Sequence, residues 1–268
     1  MESMNGNEIA VTIKEKLSQI ERRENIRILY ACESGSRAWG FASPDSDYDV
    51  RFIYVRPAGD YLKVKAVPDF LECELNEVYD INGWDLKKFF KQLYKSNPVI
   101  FEWANSPIVY RTTPEWEKMR AVMADFVCPK RMVHHYLGLA KCTMKKYFVG
   151  DTIVYKKYFY VLRAVLAASW VFWRKTPAPT EFAKLSEAEL YPDNDELFED
   201  ERDDLYGKKT SGSEKACGKR LKGLEIFINN RFAIIENGTA DWEEKKFAYE
   251  KLDRLLLELI QAGVAGGV

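Results

Sequence analysis

The chain has 268 residues, 47% of them hydrophobic and 30% charged, with a net charge of −1, enough to bury one large core or two modest ones. No stretch approaches the roughly 20 apolar residues a bilayer span needs, and the opening MESMNGNEIAVTIKEKL lacks a signal peptide's basic-then-apolar layout, so a cytosolic protein without a membrane partner is expected. Five scattered cysteines without a Cys-x-x-Cys pair and two adjacent histidines, His134 and His135, argue against a disulfide framework, a zinc site and histidine base chemistry; the cysteines read as small buried apolar residues.

Ile9, Ile13, Leu17 and Ile20 recur at helical spacing, predicting an amphipathic helix over 8–22. The run IRILYAC (26–32) predicts a strand that ends in a turn at Glu33-Ser34-Gly35-Ser36. A second strand is predicted over YDVRFIYV (48–55), stopped by Pro57 and Gly59, and a third over LECELNEVYDI (71–81), broken by Asn82-Gly83 before a helix over 84–97. Beyond residue 114 the segments 114–125, 129–149, 152–175, 214–236 and 241–262 all carry apolar residues at helical intervals, with TPAPTEF (176–182) and GKKTSGSEK (207–215) as loops. The chain is thus read as an α/β (α+β) unit with a mixed sheet over 1–112, followed by an all-helical unit over 113–268.

Charge is unevenly placed. From Pro129 to Lys175 ten basic residues face one acid, Asp151, whereas from Glu181 to Asp204 eleven acids face Lys184 and Arg202. The first run suits a polyanionic ligand; the second would repel one. Trp39, Trp84, Trp103 and Trp170 read as core residues rather than stacking platforms.

The chemistry is concentrated in GSRAWGFASPDSDYDV (35–50). Strand alternation puts Asp47 and Asp49 on one face, where two carboxylates repel unless a cation lies between them. Gly35 and Ser36 fall where a strand delivers the chain into a helical first turn, whose free N–H groups favour phosphate. One element is suited to phosphate and the other to the metal that bridges it, a division that fits phosphoryl chemistry.

Gly-Ser followed ten residues later by Asp-x-Asp resembles the signature of the DNA polymerase β nucleotidyltransferase superfamily. The fuller GSRAWGFASPDSDYDVRFIYV, with DINGWDLKK (80–88), SNPVIFEWANSPIVY (96–110) and KKYFYVLRAVLAA (156–168), is similar to the bacterial and phage nucleotidyltransferases assigned to an RNA-repair pathway. The resemblance implies a Mg²⁺-dependent enzyme. It would use two ions on Asp47, Asp49 and a third carboxylate to pass a nucleoside monophosphate from a nucleoside triphosphate to a hydroxyl, an RNA end among the acceptors, with release of pyrophosphate.

Asp80 is the expected third carboxylate, for it ends the 71–81 strand; Asp85 competes but suits a helix first turn. Gly35, Ser36, Arg37 and Ser46 are expected at the nucleotide, with Lys157, Tyr158 and Arg163 from the helical unit, which would form the cleft's second wall. For Arg37 a surface salt bridge is the alternative to a phosphate role. Two further readings stay open: nucleotidylation of a protein or small molecule, and a catalytically silent nucleotide-binding regulatory module. Base preference and oligomeric state leave no mark in the sequence.

Overall fold

The computed structural model describes residues 6–186, 196–211 and 216–265. Five strands, β1 (Arg27–Glu33), β2 (Tyr48–Val55), β3 (Phe70–Leu75), β4 (Tyr79–Asp85) and β5 (Val109–Arg111), form one mixed sheet in the order β3-β4-β2-β1-β5. β1 runs antiparallel to β2 and β5, β4 runs parallel to β2, and β3 closes the edge antiparallel to β4.

Alternation along β2 divides its side chains between two cores. Phe52 and Tyr54 pack with Ile13 and Leu17 of α1 (Gly6–Glu24) on one face of the sheet. Ile53 and Val55 face the larger core built with α4 (Leu86–Tyr94), α5 (Pro98–Ala104), α6 (Pro114–Met123), α7 (Pro129–Tyr147) and α8 (Tyr155–Arg174). That core continues into α10 (Glu196–Thr210), α11 (Lys222–Thr239) and α12 (Glu250–Ala265). The remaining helices are short: α2 (Gly35–Trp39), α3 (Ala58–Tyr61) and α9 (Phe182–Leu185). α8 lies at the centre, packed along α7 and against α10 and α11, so its apolar residues are buried almost all round.

Three features differ from the sequence reading. The predicted strand 71–81 is a hairpin, because the Asn76 side chain accepts from the N–H groups of Val78 and Tyr79 and turns the chain there. Asn82-Gly83 does not stop β4: a Cβ on Gly83 would stand 2.2 Å from the Phe52 ring, so this glycine serves close packing of β4 on β2. Within the helical region β6 (Thr152–Val154) pairs antiparallel with β7 (Cys217–Lys219), two strands too short for periodicity to reveal.

Cys32 and Cys128 are buried, but Cys142 and Cys217 are exposed, which corrects the uniform reading of the cysteines. Part of the acidic run (187–195) and residues 212–215 of the GKKTSGSEK segment lie outside the described residues, and the start of that segment, 207–210, is not a loop but the last turn of α10. Among the described residues no helix is long and apolar enough to cross a membrane.

Candidate active site

Every strand-end residue at the head of β1 and β2 has a local reason for its place. β1 runs apolar to Cys32 and then carries Glu33, which is fully buried. Its Oε1 accepts from the Asp49 N–H (2.8 Å), its Oε2 accepts from the Tyr110 hydroxyl (2.5 Å), and the Ser34 N–H donates to the Asp49 carbonyl (2.8 Å). The turn leading to Gly35 is therefore fastened to Asp49 from both sides of its peptide.

Gly35 opens α2 at φ +58°, and a Cβ there would lie 1.8 Å from Asp49 Oδ2. Only glycine allows this approach. The N–H groups of a helical first turn have no intrahelical acceptors, so Gly35 and Ser36 set unpaired donors beside a carboxylate.

A cleft of about 930 Å³ opens over this junction. Gly35, Ser36, Ser46, Asp47 and Asp49 line it from the sheet side. Ser46 also ties its own loop, accepting from the Ser43 N–H at 2.9 Å. Arg37 is not among the lining residues. It donates from Nε to the Asp47 carbonyl (3.0 Å) and from Nη2 to the Ser46 carbonyl (2.5 Å), and its guanidinium stacks 3.8 Å from the Tyr48 ring centre. Neither expected role describes it; it braces the turn that carries Asp47.

The parallel register of β2 and β4 sets Asp80 level with Asp49. Arg51 Nη2 lies between them, 2.8 Å from Asp49 Oδ1 and 2.7 Å from Asp80 Oδ2. Asp80 thus reaches the cleft through Arg51, which lines it, and among the described residues no three acids close on one metal-sized point. Burial pushes Asp49 up to about 6, Arg51 opposes the shift, and Asp47 and Asp80 add to it. Asp85 is remote in role: it caps α4 by accepting from the Lys87 N–H (2.8 Å) and accepts from the Tyr61 hydroxyl (2.9 Å). Glu74 pairs with Lys16 of α1.

α8 supplies the opposite wall, though not with the side chains expected. Lys156, Phe159 and Tyr160 line the cleft; Lys157, Tyr158 and Arg163 do not. At about 100° per residue Tyr158 turns well away from Lys156, and its hydroxyl donates to Glu225. Arg163 is buried behind Trp39, 4.1 Å from that ring, and pairs with Glu102 at 2.8 Å. Lys157 lies just outside, over the Tyr147 ring at 4.1 Å.

Lys209 of α10, which is buried, also lines the cleft, and so does Trp39; of the four tryptophans read as core, Trp103 is buried while Trp39, Trp84 and Trp170 are partly buried against the core. Nothing local flags Lys209. Glu33 did leave a signal: an acid closing an apolar strand immediately before Gly-Ser is costly unless it is partnered.

Burial is the main reason that the Glu33 carboxyl rises from 4.5 to about 7. With the folded value above the unfolded one, its contribution to stability is complete below about 4.5 and is lost as pH rises through 7. Glu33→Gln keeps an acceptor for the Asp49 N–H but does not titrate. Measured by denaturant unfolding, it should gain about 2 kcal/mol on wild type between about pH 5 and pH 8. Parallel pH profiles for the two proteins would refute the buried carboxyl's penalty.

A mixed sheet with an Asp-x-Asp segment leading into a strand beside a Gly-Ser turn, walled by helices, is a polymerase β-type nucleotidyltransferase fold. The chain belongs to the RNA repair pathway DNA polymerase beta family, whose profile matches residues 9–258. It is 36% identical over 256 residues to the uncharacterized protein YcgL of Bacillus subtilis, covering 93% of this chain and 95% of that one. It is 26% identical over 135 residues to the uncharacterized protein MJ0002 of Methanocaldococcus jannaschii, covering 47% and 55% respectively. Among solved structures, a nucleotidyltransferase-like protein from Exiguobacterium sibiricum aligns over 94% of this chain and 89% of its own, at 12% identity and a TM-score of 0.33.

Proposed function

We propose that the chain transfers a nucleoside monophosphate from a nucleoside triphosphate to an acceptor hydroxyl. The acceptor oxygen bonds to the α-phosphorus, the bond from that phosphorus to the bridging oxygen breaks, and pyrophosphate departs. One observation carries this reading: Gly35 touches Asp49 so closely that no side chain fits between them. Phosphate-binding donors and a metal-binding carboxylate therefore share one point.

The donor set suits Mg²⁺, being oxygen only, and the mutual repulsion of Asp47, Asp49 and Asp80 favours cation binding. Asp47 and Asp49 are the residues to hold it. Bound there, Mg²⁺ supplies Lewis-acid neutralisation of phosphate oxygens. Arg51 fixes the rotamer of Asp49. Asp80, level with Asp49 and sharing its guanidinium, is read as the third carboxylate, and it would have to leave Arg51 to serve as a ligand or to take the acceptor's proton. Lys156 and Lys209 place positive charge in the cleft for the triphosphate tail, and the helical region acts as the second wall.

The test is incubation of the purified protein with each α-labelled nucleoside triphosphate and Mg²⁺, offering RNA, DNA and cell extract as acceptors. Label should move to an acceptor with stoichiometric pyrophosphate. Triphosphate binding without transfer to any acceptor would overturn the catalytic reading and leave a nucleotide-binding module.

A further inference from the structure

Seven of the ten cations of the 129–175 segment fall into two groups; Lys145 is exposed on α7, and Arg174 and Lys175 stand at the far end of α8, Lys175 over the Trp242 ring. Lys130 donates to the Trp242 carbonyl, Arg131 pairs with Glu244, Lys141 with Glu236 and Arg163 with Glu102. These hold helices together. The other group stands where the end of α7 meets the start of α8, and there cations alternate with rings. Lys156 and Tyr160 line the cleft, with the ammonium 5.9 Å from the ring centre. Lys157 lies 5.4 Å from the same ring and 4.1 Å from that of Tyr147, and Lys146 lies 5.0 Å from Tyr147 on the way out. Lys146 and Tyr147 are exposed, Lys157 and Tyr160 partly so.

We propose that this lysine–tyrosine track guides a single-stranded nucleic acid into the cleft, which makes the strand's end the acceptor; the inference rests on the nucleotidyl transfer proposed above. Ammonium groups spaced along a path match a backbone's repeating charge, and rings between them offer stacking faces that bases expose only when unpaired. A free triphosphate needs cations converging at one point, the role proposed above for Lys156 and Lys209, which line the cleft. Asp151 is the one acid in the 129–175 segment.

Fluorescence anisotropy with end-labelled oligonucleotides of about a dozen residues, in RNA, DNA and duplex form, tests the proposal. Lys146→Ala/Lys157→Ala should weaken single-strand binding about tenfold. It should also reduce the slope of log affinity against log salt by about 1.4, two phosphate contacts at ~0.7 each. Tyr147→Ala should weaken binding about tenfold and Tyr147→Phe should restore it, because the ring and not the hydroxyl stacks. Lys130→Ala should leave it unchanged, and unfolding curves check that the variants fold.

Preference for RNA or DNA identifies the natural strand, and equal binding supports a backbone-and-stacking track. Wild-type affinity and salt slope in the Lys146/Lys157 and Tyr147→Ala variants would overturn the track, as would duplex binding as tight as single-strand binding. Strand binding through the track without transfer would sink the proposed activity alone. Transfer to another acceptor with no strand binding would sink the track alone.

Discussion

Asp49→Asn should lower nucleotidyl transfer by on the order of a thousandfold while leaving the protein folded, because it removes the carboxylate that touches the Gly-Ser turn. Stability should move the other way. Burial first, with Asp47 and Asp80 adding to it, raises the Asp49 carboxyl from 3.8 to about 6 in the fold. The contribution of this group to stability is thus complete below about 3.8 and lost as pH rises through 6, so near neutral pH the wild type carries a penalty that asparagine lacks. Part of the gain is cancelled because Arg51 loses one of its two carboxylates, although its contact with Asp80 remains. A net gain of about 1 kcal/mol at neutral pH, shrinking toward about pH 4, is expected in denaturant titrations. Transfer at the wild-type rate would remove Asp49 from the proposed metal site, and a large loss of stability would show that it serves the fold instead.

Gly35→Ala should be nearly as damaging by a different route. The added methyl meets Asp49 Oδ2 at 1.8 Å and Cγ at 2.7 Å, and φ is +58°, where an L side chain is strained. Either Asp49 swings away or the turn lifts off β2, and both separate phosphate donors from the carboxylate. Transfer should fall about a hundredfold, as small displacements of positioned groups do, with a stability loss of about 2 kcal/mol. Gly40→Ala is the control. Gly40 has φ +85° but nothing within 4 Å of a Cβ, so it should cost about 1 kcal/mol of backbone strain and leave transfer intact. Equal activity losses in the two variants would point to strain rather than to the Asp49 clash.

What the sequence determined alone about this protein is what arises over a few residues. The strand 48–55 was legible to the residue because alternation and a following Pro-Gly stop are local signals. So was the Gly-Ser turn into a short helix; Asp47 and Asp49 both line the cleft, although Asp47 stands in the loop just before β2. The mixed sheet and the helical region follow from runs of periodic apolar residues, and they appear where those runs lie.

Tertiary structure decided everything that depends on register or on which helix face turns inward. A one-residue slip of β4 would move Asp80 off the level of Asp49, and only pairing with β2 selects the register that lets Arg51 bridge them. On α8 the choice of Lys156 and Tyr160 over Lys157 and Tyr158 is a rotation of the helix, set by packing against α7 and α11; periodicity shows that a face exists but not where it points. Lys209 comes from a helix whose weak apolar pattern hides it in the sequence, and it reaches the cleft only because α10 packs on α8. Glu33 needed its partners, the Asp49 N–H and the Tyr110 hydroxyl 77 residues away, before a buried acid made physical sense.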